Sequence, residues 1–155
     1  MIDITPKEQE INDFLSTIFY DILRLEGDSI NAGPYNNLSV NEMHILDAIS
    51  QSEHPETMSE LAARLRITAS TLTIAVKTLE KKGFLVRERA QSDKRKVFVC
   101  LTDIARDALL SHMAFHEDLI RGLADRLTPE RMSMLLSTLS ALQDYFQSIR
   151  FNKNI

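Results

Sequence analysis

ITASTLTIAVKTLEKKGFLVRERAQSDKRK, residues 67–96, reads as a helix, a glycine stop, a short strand and a charged turn, and VFVCL at residues 97–101 supplies a return strand. Thr68 is placed to cap the helix, and Leu72, Ala75, Val76 and Leu79 recur at helical spacing to form one apolar face. The opposite face carries Ser70, Thr73, Ile74, Lys77 and Lys81, with hydroxyls near the N-terminus and ammonium groups further along. Such a face suits the major groove of DNA: hydroxyls meet base edges, the Ile74 side chain meets a thymine methyl, and lysines meet phosphates. A plain solvated helix face is the other reading of the same residues. Gly83 falls where a left-handed helix stop is needed, and the hairpin tip holds Asp93, Lys94, Arg95 and Lys96. An aspartate two residues before an arginine can fix the direction of the guanidinium, which suits entry into a narrow minor groove.

The net charge of −4 fits nucleic acid poorly until it is divided along the chain. Residues 64–96 hold ten Lys and Arg against Glu80, Glu88 and Asp93, a balance of +7, which leaves −11 on the remainder. A basic reader on an acidic body is the footprint of a local phosphate-binding surface.

Working outward, Thr57 and Glu60 form a capping box for a short helix with Leu61, Ala62 and Leu65, a few residues before the reading helix, as a helix-turn-helix requires. Ser39 and Glu42 repeat the box for a helix carrying Met43, Ile45, Leu46 and Ile49, which should end near Ser52, with residues 52–56 as a connector. Thr5, Pro6 and Glu8 start the first helix. Its stripe runs from Ile11 through Phe14, Ile18 and Ile22 to Leu25, and Gly27 with residues 31–37 should end it. Downstream, Thr102 caps a helix reaching about Arg126, and Thr128, Pro129 and Glu130 open a last helix with a sustained apolar stripe from Met132 to Ile149.

The predicted fold is therefore mainly α with a small β-hairpin wing (α+β). One domain covers residues 1–155, with a winged helix-turn-helix DNA reader at 38–101 and long dimerisation helices at 5–30 and 102–150. A reader of about 70 residues cannot cover three such helices, so a homodimer is expected, with packing onto the reader's own core as the alternative. No apolar run approaches the roughly 18 residues of a membrane span, and the N-terminus lacks the pattern of a signal peptide, so no membrane association and a cytoplasmic location are expected. The single cysteine, Cys100, excludes an internal disulfide framework.

The run T-x-x-V-x-x-L-E-x-x-G-F-L-V-R from Thr73 to Arg87, followed by Asp93, Arg95 and the pair Leu101, Thr102, resembles the MarR family of bacterial transcription regulators over nearly the whole chain. The resemblance implies a homodimer with interlocked terminal helices, each reader taking half of a pseudo-palindrome in double-stranded DNA. It also implies DNA contacts by Ser70, Thr71, Thr73 and Lys77 and by Asp93 with Arg95 at the wing. Ala105 stands where many members have glycine, a change that favours helix. Residues 13–19 and 39–49 are similar to the FabT-type repressors of fatty-acid synthesis. That similarity implies a long-chain acyl group on acyl carrier protein as co-repressor, in an apolar cavity. Phe14, Ile18, Ile22, Met43, Met113 and Phe115, with His44 and His116, are the residues available to line it, and each is equally an ordinary core residue.

Two further chemistries need weighing. His112 and His116 are i and i+4 on one helix, and Glu26 and His44 can approach from neighbouring helices, a donor set that suits zinc. Some metal-sensing members of the resembled family bind zinc between these helices; hydrogen-bonded histidines are the alternative, and a metallo-enzyme using the same four residues is a third reading. Cys100 lies in a wing strand with no histidine beside it, which fits a small half-buried residue better than a redox sensor. No Gly-rich phosphate loop and no nucleophile–base pair close in sequence points to catalysis, and no cofactor is required by the regulator reading.

Overall fold

The computed structural model describes residues 4–89 and 96–152, and side chains as far as residue 149. The elements are α1 (Pro6–Ala32), α2 (Val40–Ser50), β1 (Glu56–Thr57), α3 (Met58–Leu65), α4 (Ala69–Lys81), β2 (Leu85–Arg89), β3 (Val97–Leu101), α5 (Asp103–Ala124) and α6 (Pro129–Asn152). All three capping boxes form: Thr5 with Glu8, Ser39 with Glu42 and Thr57 with Glu60 each exchange side-chain and backbone hydrogen bonds. Thr68 accepts from the Thr71 N–H at 3.1 Å and starts α4. Each box satisfies backbone donors that a helix start leaves open, which is why these short polar residues fix the boundaries.

The hairpin pairs antiparallel from Leu85↔Leu101 to Arg89↔Val97. The connector expected at residues 52–56 is corrected at its end: Glu56 and Thr57 form a third strand on the open edge of β3, opposite Val99 and Phe98. Two residues offer no alternation to read, so this strand is set by its neighbour alone. Gly27 does not end α1 either. The helix continues through it to Ala32, and the added turn buries Ile30. Burying an isoleucine is worth about 1.5–3 kcal/mol, against about 1 kcal/mol for glycine in a helix. Gly83, with φ 84, makes the left-handed stop after α4 that its position predicts.

The backbone falls into two compact units, residues 1–115 and 116–155, with the boundary inside the continuous helix α5. The first holds the core, in which Leu46, Leu72, Val76 and Leu79 are fully buried beside Leu61, Phe84 and Leu85. In the second, no described side chain of α6 is buried, and Met134, Leu136, Leu139 and Phe146 are exposed. The apolar stripe of α1 is open as well, with Phe14 66 % and Phe19 61 % exposed.

Two polar links fix the reader in the first unit. Thr102 donates to the Gly83 and Phe84 carbonyls at 2.8 and 3.1 Å and accepts from the Ala105 N–H at the start of α5. Ala105 itself is fully buried, so its methyl is accommodated there. Lys82, just past α4, donates to both Glu42 carboxylate oxygens at 2.8 Å and to the Asn37 carbonyl. Burial acts to raise the Glu42 carboxyl, but hydrogen bonds from Lys82 and Ser39 outweigh it and hold the group below its ordinary value. A depressed carboxylate contributes stability that is complete above the ordinary range and is lost as pH falls through the lowered value. Glu42→Gln should therefore cost about 1–2 kcal/mol at neutral pH, and the gap from the parent protein should narrow below about pH 4. Denaturant titrations at the two pH values check this; a gap of equal size at both would remove charge as its source.

Candidate nucleic-acid interface

The sequence of α4 separates its two faces cleanly. Leu72, Val76 and Leu79 are fully buried, and Ser70, Thr71, Ile74, Lys77 and Lys81 are exposed on the other side. Ile74 is 69 % exposed, an isolated apolar side chain among polar ones, as a contact with a thymine methyl requires. Thr73 is half-buried and its hydroxyl donates to the Ala69 carbonyl at 2.7 Å. Its proton is therefore committed to the helix, and toward a base it offers only acceptor lone pairs. The Thr68 hydroxyl lies 2.9 Å from that of Ser70 and 2.8 Å from that of Thr71, so the cap also orders the first two reading hydroxyls. Thr78, which periodicity alone places beside Ile74 and Lys81, is exposed too and donates to the Ile74 carbonyl.

Of the basic residues counted in the sequence, three are drawn into the fold. Arg64 is held by Glu56 and by the Ala48 carbonyl, Lys82 by Glu42, and Arg87 by Glu80 at 3.0 Å. Arg66, Lys77, Lys81, Arg89 and Lys96 are exposed on the reader. Asp93, Lys94 and Arg95, the expected wing tip, lie outside the described residues.

The histidines form a second site. Glu26 on α1 is 2 % exposed, and its Oε1 lies 3.1 Å from His44 Nε2 on α2 and 3.5 Å from His112 Nε2 on α5. The rings of His44 and His112 are 6.1 Å apart, and Phe115 stacks on His112 at 6.4 Å. α5 runs unbroken through the next turn, and the ligand atoms of Glu26, His112 and His116 all lie within 4.8 Å of one another. Three of the four residues singled out for a metal, Glu26, His112 and His116, are thus brought together, and His44 reaches the group through Glu26.

Of the residues expected to line an effector cavity between the dimer helices and the reader, Met43 is a core residue at 2 % exposure, while Phe14, Ile18 and Ile22 lie open on α1 of the single chain. Met113 instead borders an open groove of about 590 Å³ over Ile49, Leu61, Val99, Leu101 and Leu109. Cys100 is half-buried in β3, and burial followed by the nearby Glu88 pushes its thiol up, away from the thiolate that redox sensing needs.

A helix-turn-helix with an exposed polar helix, followed by an antiparallel wing, defines a winged DNA-binding protein. The MarR family model matches residues 38–97. The transcriptional regulator AdcR of Streptococcus pneumoniae is 34 % identical over 108 residues, 68 % of this chain and 73 % of that protein. ZitR of Lactococcus lactis, also a transcriptional regulator, is 28 % identical over 71 % of this chain and 77 % of its own length. The crystal structure of Streptococcus pneumoniae FabT in complex with DNA superposes with a TM-score of 0.84 at 28 % identity, covering 92 % of this chain and 99 % of that one. The chain belongs to the MarR family: it is a DNA-binding transcription regulator and not an enzyme. Among the described residues no helix is long and apolar enough to cross a membrane.

If Ile74 reads a thymine methyl, Ile74→Ala should weaken operator binding by about 1 kcal/mol, roughly fivefold. Replacing operator thymines one at a time by uracil, which lacks the methyl, should reproduce that loss in the parent protein at one position and add nothing in the variant. Additive losses at every thymine would show that Ile74 reads none of them.

Proposed function

We propose that the protein is a homodimeric transcription regulator whose hold on a pseudo-palindromic operator is set by a divalent transition metal, zinc by the chemistry of the donors, bound by Glu26, His44, His112 and His116. The observation that carries this reading is that ligand atoms of the buried Glu26 and of His112 and His116 lie within 4.8 Å of one another, with His44 Nε2 3.1 Å from the Glu26 carboxylate. One carboxylate and three imidazoles are a donor set that zinc accepts, and a carboxyl at that depth must be met by donors or a cation. A bound metal would supply positive charge held by residues of α1 and α5, with His44 of α2 beside them. α2 also carries Glu42, two residues before His44, which holds Lys82 at the end of α4, so the same helix touches both the cluster and the reader. The exposed stripes of α1 and α6 support the dimer, since each leaves apolar side chains in water that a second copy can cover.

A second reading rests on the likeness to FabT and on the apolar groove of about 590 Å³ beside Met113, a size suited to a small effector. Here an acyl group, delivered on acyl carrier protein, replaces metal as the signal and the regulated genes serve fatty-acid synthesis.

Native mass spectrometry of the purified protein separates the two readings. The metal reading expects a dimer with one zinc per chain, and DNA affinity that changes about 5- to 150-fold between zinc and chelator. His112→Ala and His116→Ala should each lower zinc affinity at least tenfold and remove that response, with metal-free DNA binding unchanged. A dimer that retains a fatty acyl mass, takes up no zinc and responds only to the acyl ligand would replace the metal reading with the second.

A further inference from the structure

Arg66 sits in the turn between α3 and α4 with φ 54 and ψ 40, the sole non-glycine residue of positive φ among the described residues. Its N–H donates to the Ala63 carbonyl and the Ile67 N–H to the Ala62 carbonyl, both at 3.2 Å. These two bonds close the end of α3 in an arrangement that demands a left-handed residue at this point. Both are main-chain bonds, so glycine would keep them and would adopt the backbone without penalty, whereas an L side chain is strained there. The turn itself therefore gives no reason for arginine.

The charge of Arg66 is also unspent within the fold. Arg64, two residues earlier, is held by Glu56 and the Ala48 carbonyl, and Lys82 and Arg87 by Glu42 and Glu80. Arg66 is exposed and makes no ion pair with another described residue. It stands two residues before Thr68, the cap of the reading helix. We propose that Arg66 is a DNA-contacting residue that clamps a backbone phosphate beside the bases read by α4, and that the strained backbone is kept for the sake of its guanidinium. A planar guanidinium grips phosphate in bidentate fashion, and such contacts fix register on the duplex without reading sequence. Backbone strain held at a residue whose side chain meets the ligand is a recurrent pattern of functional sites.

Because phosphate contacts are independent of sequence, a duplex of arbitrary sequence and about 30 base pairs serves as the probe. Arg66→Gly, Arg66→Gln and Arg66→Lys are compared with the parent protein by fluorescence anisotropy over a range of salt concentrations and by thermal unfolding. Arg66→Gly should melt a few degrees higher and yet bind more weakly, with the slope of log affinity against log salt smaller by about 0.9 for each protomer engaged. Arg66→Gln should match the parent in melting and share the smaller slope, whereas Arg66→Lys should restore the slope. An unchanged slope in Arg66→Gln, or a lower melting temperature in Arg66→Gly, would overturn the proposal.

Discussion

The hydroxyl of Thr102 ties three parts of the molecule into one knot. It donates to the carbonyls of Gly83 and Phe84, where the reading helix gives way to the wing, and it accepts from Ala105 as α5 begins. The Thr102 N–H adds a bond to the Phe84 carbonyl at 3.1 Å. Gly83 must be left-handed for α4 to end there, and Phe84, buried at 2 % exposure, anchors the turn in the core. The consequence is mechanical: the first turn of α5 cannot rotate about its axis without disturbing the end of α4. Since α5 also carries His112, the helix tied to the reader at its first turn bears a cluster residue further along.

Charge on the reader is divided between structure and DNA. The sequence count treats every lysine and arginine alike, but Arg64, Lys82 and Arg87 each meet a glutamate from the acidic part or from α4 itself. Those pairs hold β1 to α3, α2 to α4, and α4 to β2. The exposed basic side chains lie on or beside the helix that carries the hydroxyls, so the field facing DNA is narrower and better placed than the +7 of residues 64–96 implies. Holding some cations internally also orients the elements that present the others.

Most of this architecture is legible in the sequence because it rests on local chemistry. A threonine or serine three residues before a glutamate marks three helix starts, and each forms as written. The two faces of α4 follow from helical spacing, and its buried and exposed residues fall on the expected sides. What escaped is what depends on distant neighbours. β1 exists because β3 has an open edge, and Gly27 is carried through α1 because Ile30 finds a core beyond it. The committed proton of Thr73 is a matter of rotamer, which spacing does not fix. For the histidines, the i and i+4 spacing on α5 was readable, whereas the approach of Glu26 and His44 required the packing of α1 and α2 against it. Being apolar says that a side chain is to be covered, and nothing about which surface covers it, as the exposed Phe14, Ile18 and Ile22 of α1 show beside the buried Met43.

That distinction bears on the cluster itself. A carboxyl at 2 % exposure would normally be replaced without loss by a well-packed leucine, since desolvation offsets much of what its hydrogen bonds return. Here it is surrounded by imidazoles, one fully inside the fold on α5 and one on α2 with 46 % of its side chain in contact with water. The exposure belongs to His44, while the Glu26 carboxyl behind it is closed to solvent. The cost of desolvating the carboxyl is therefore met by imidazoles of unequal exposure, one inside the fold and one at its surface.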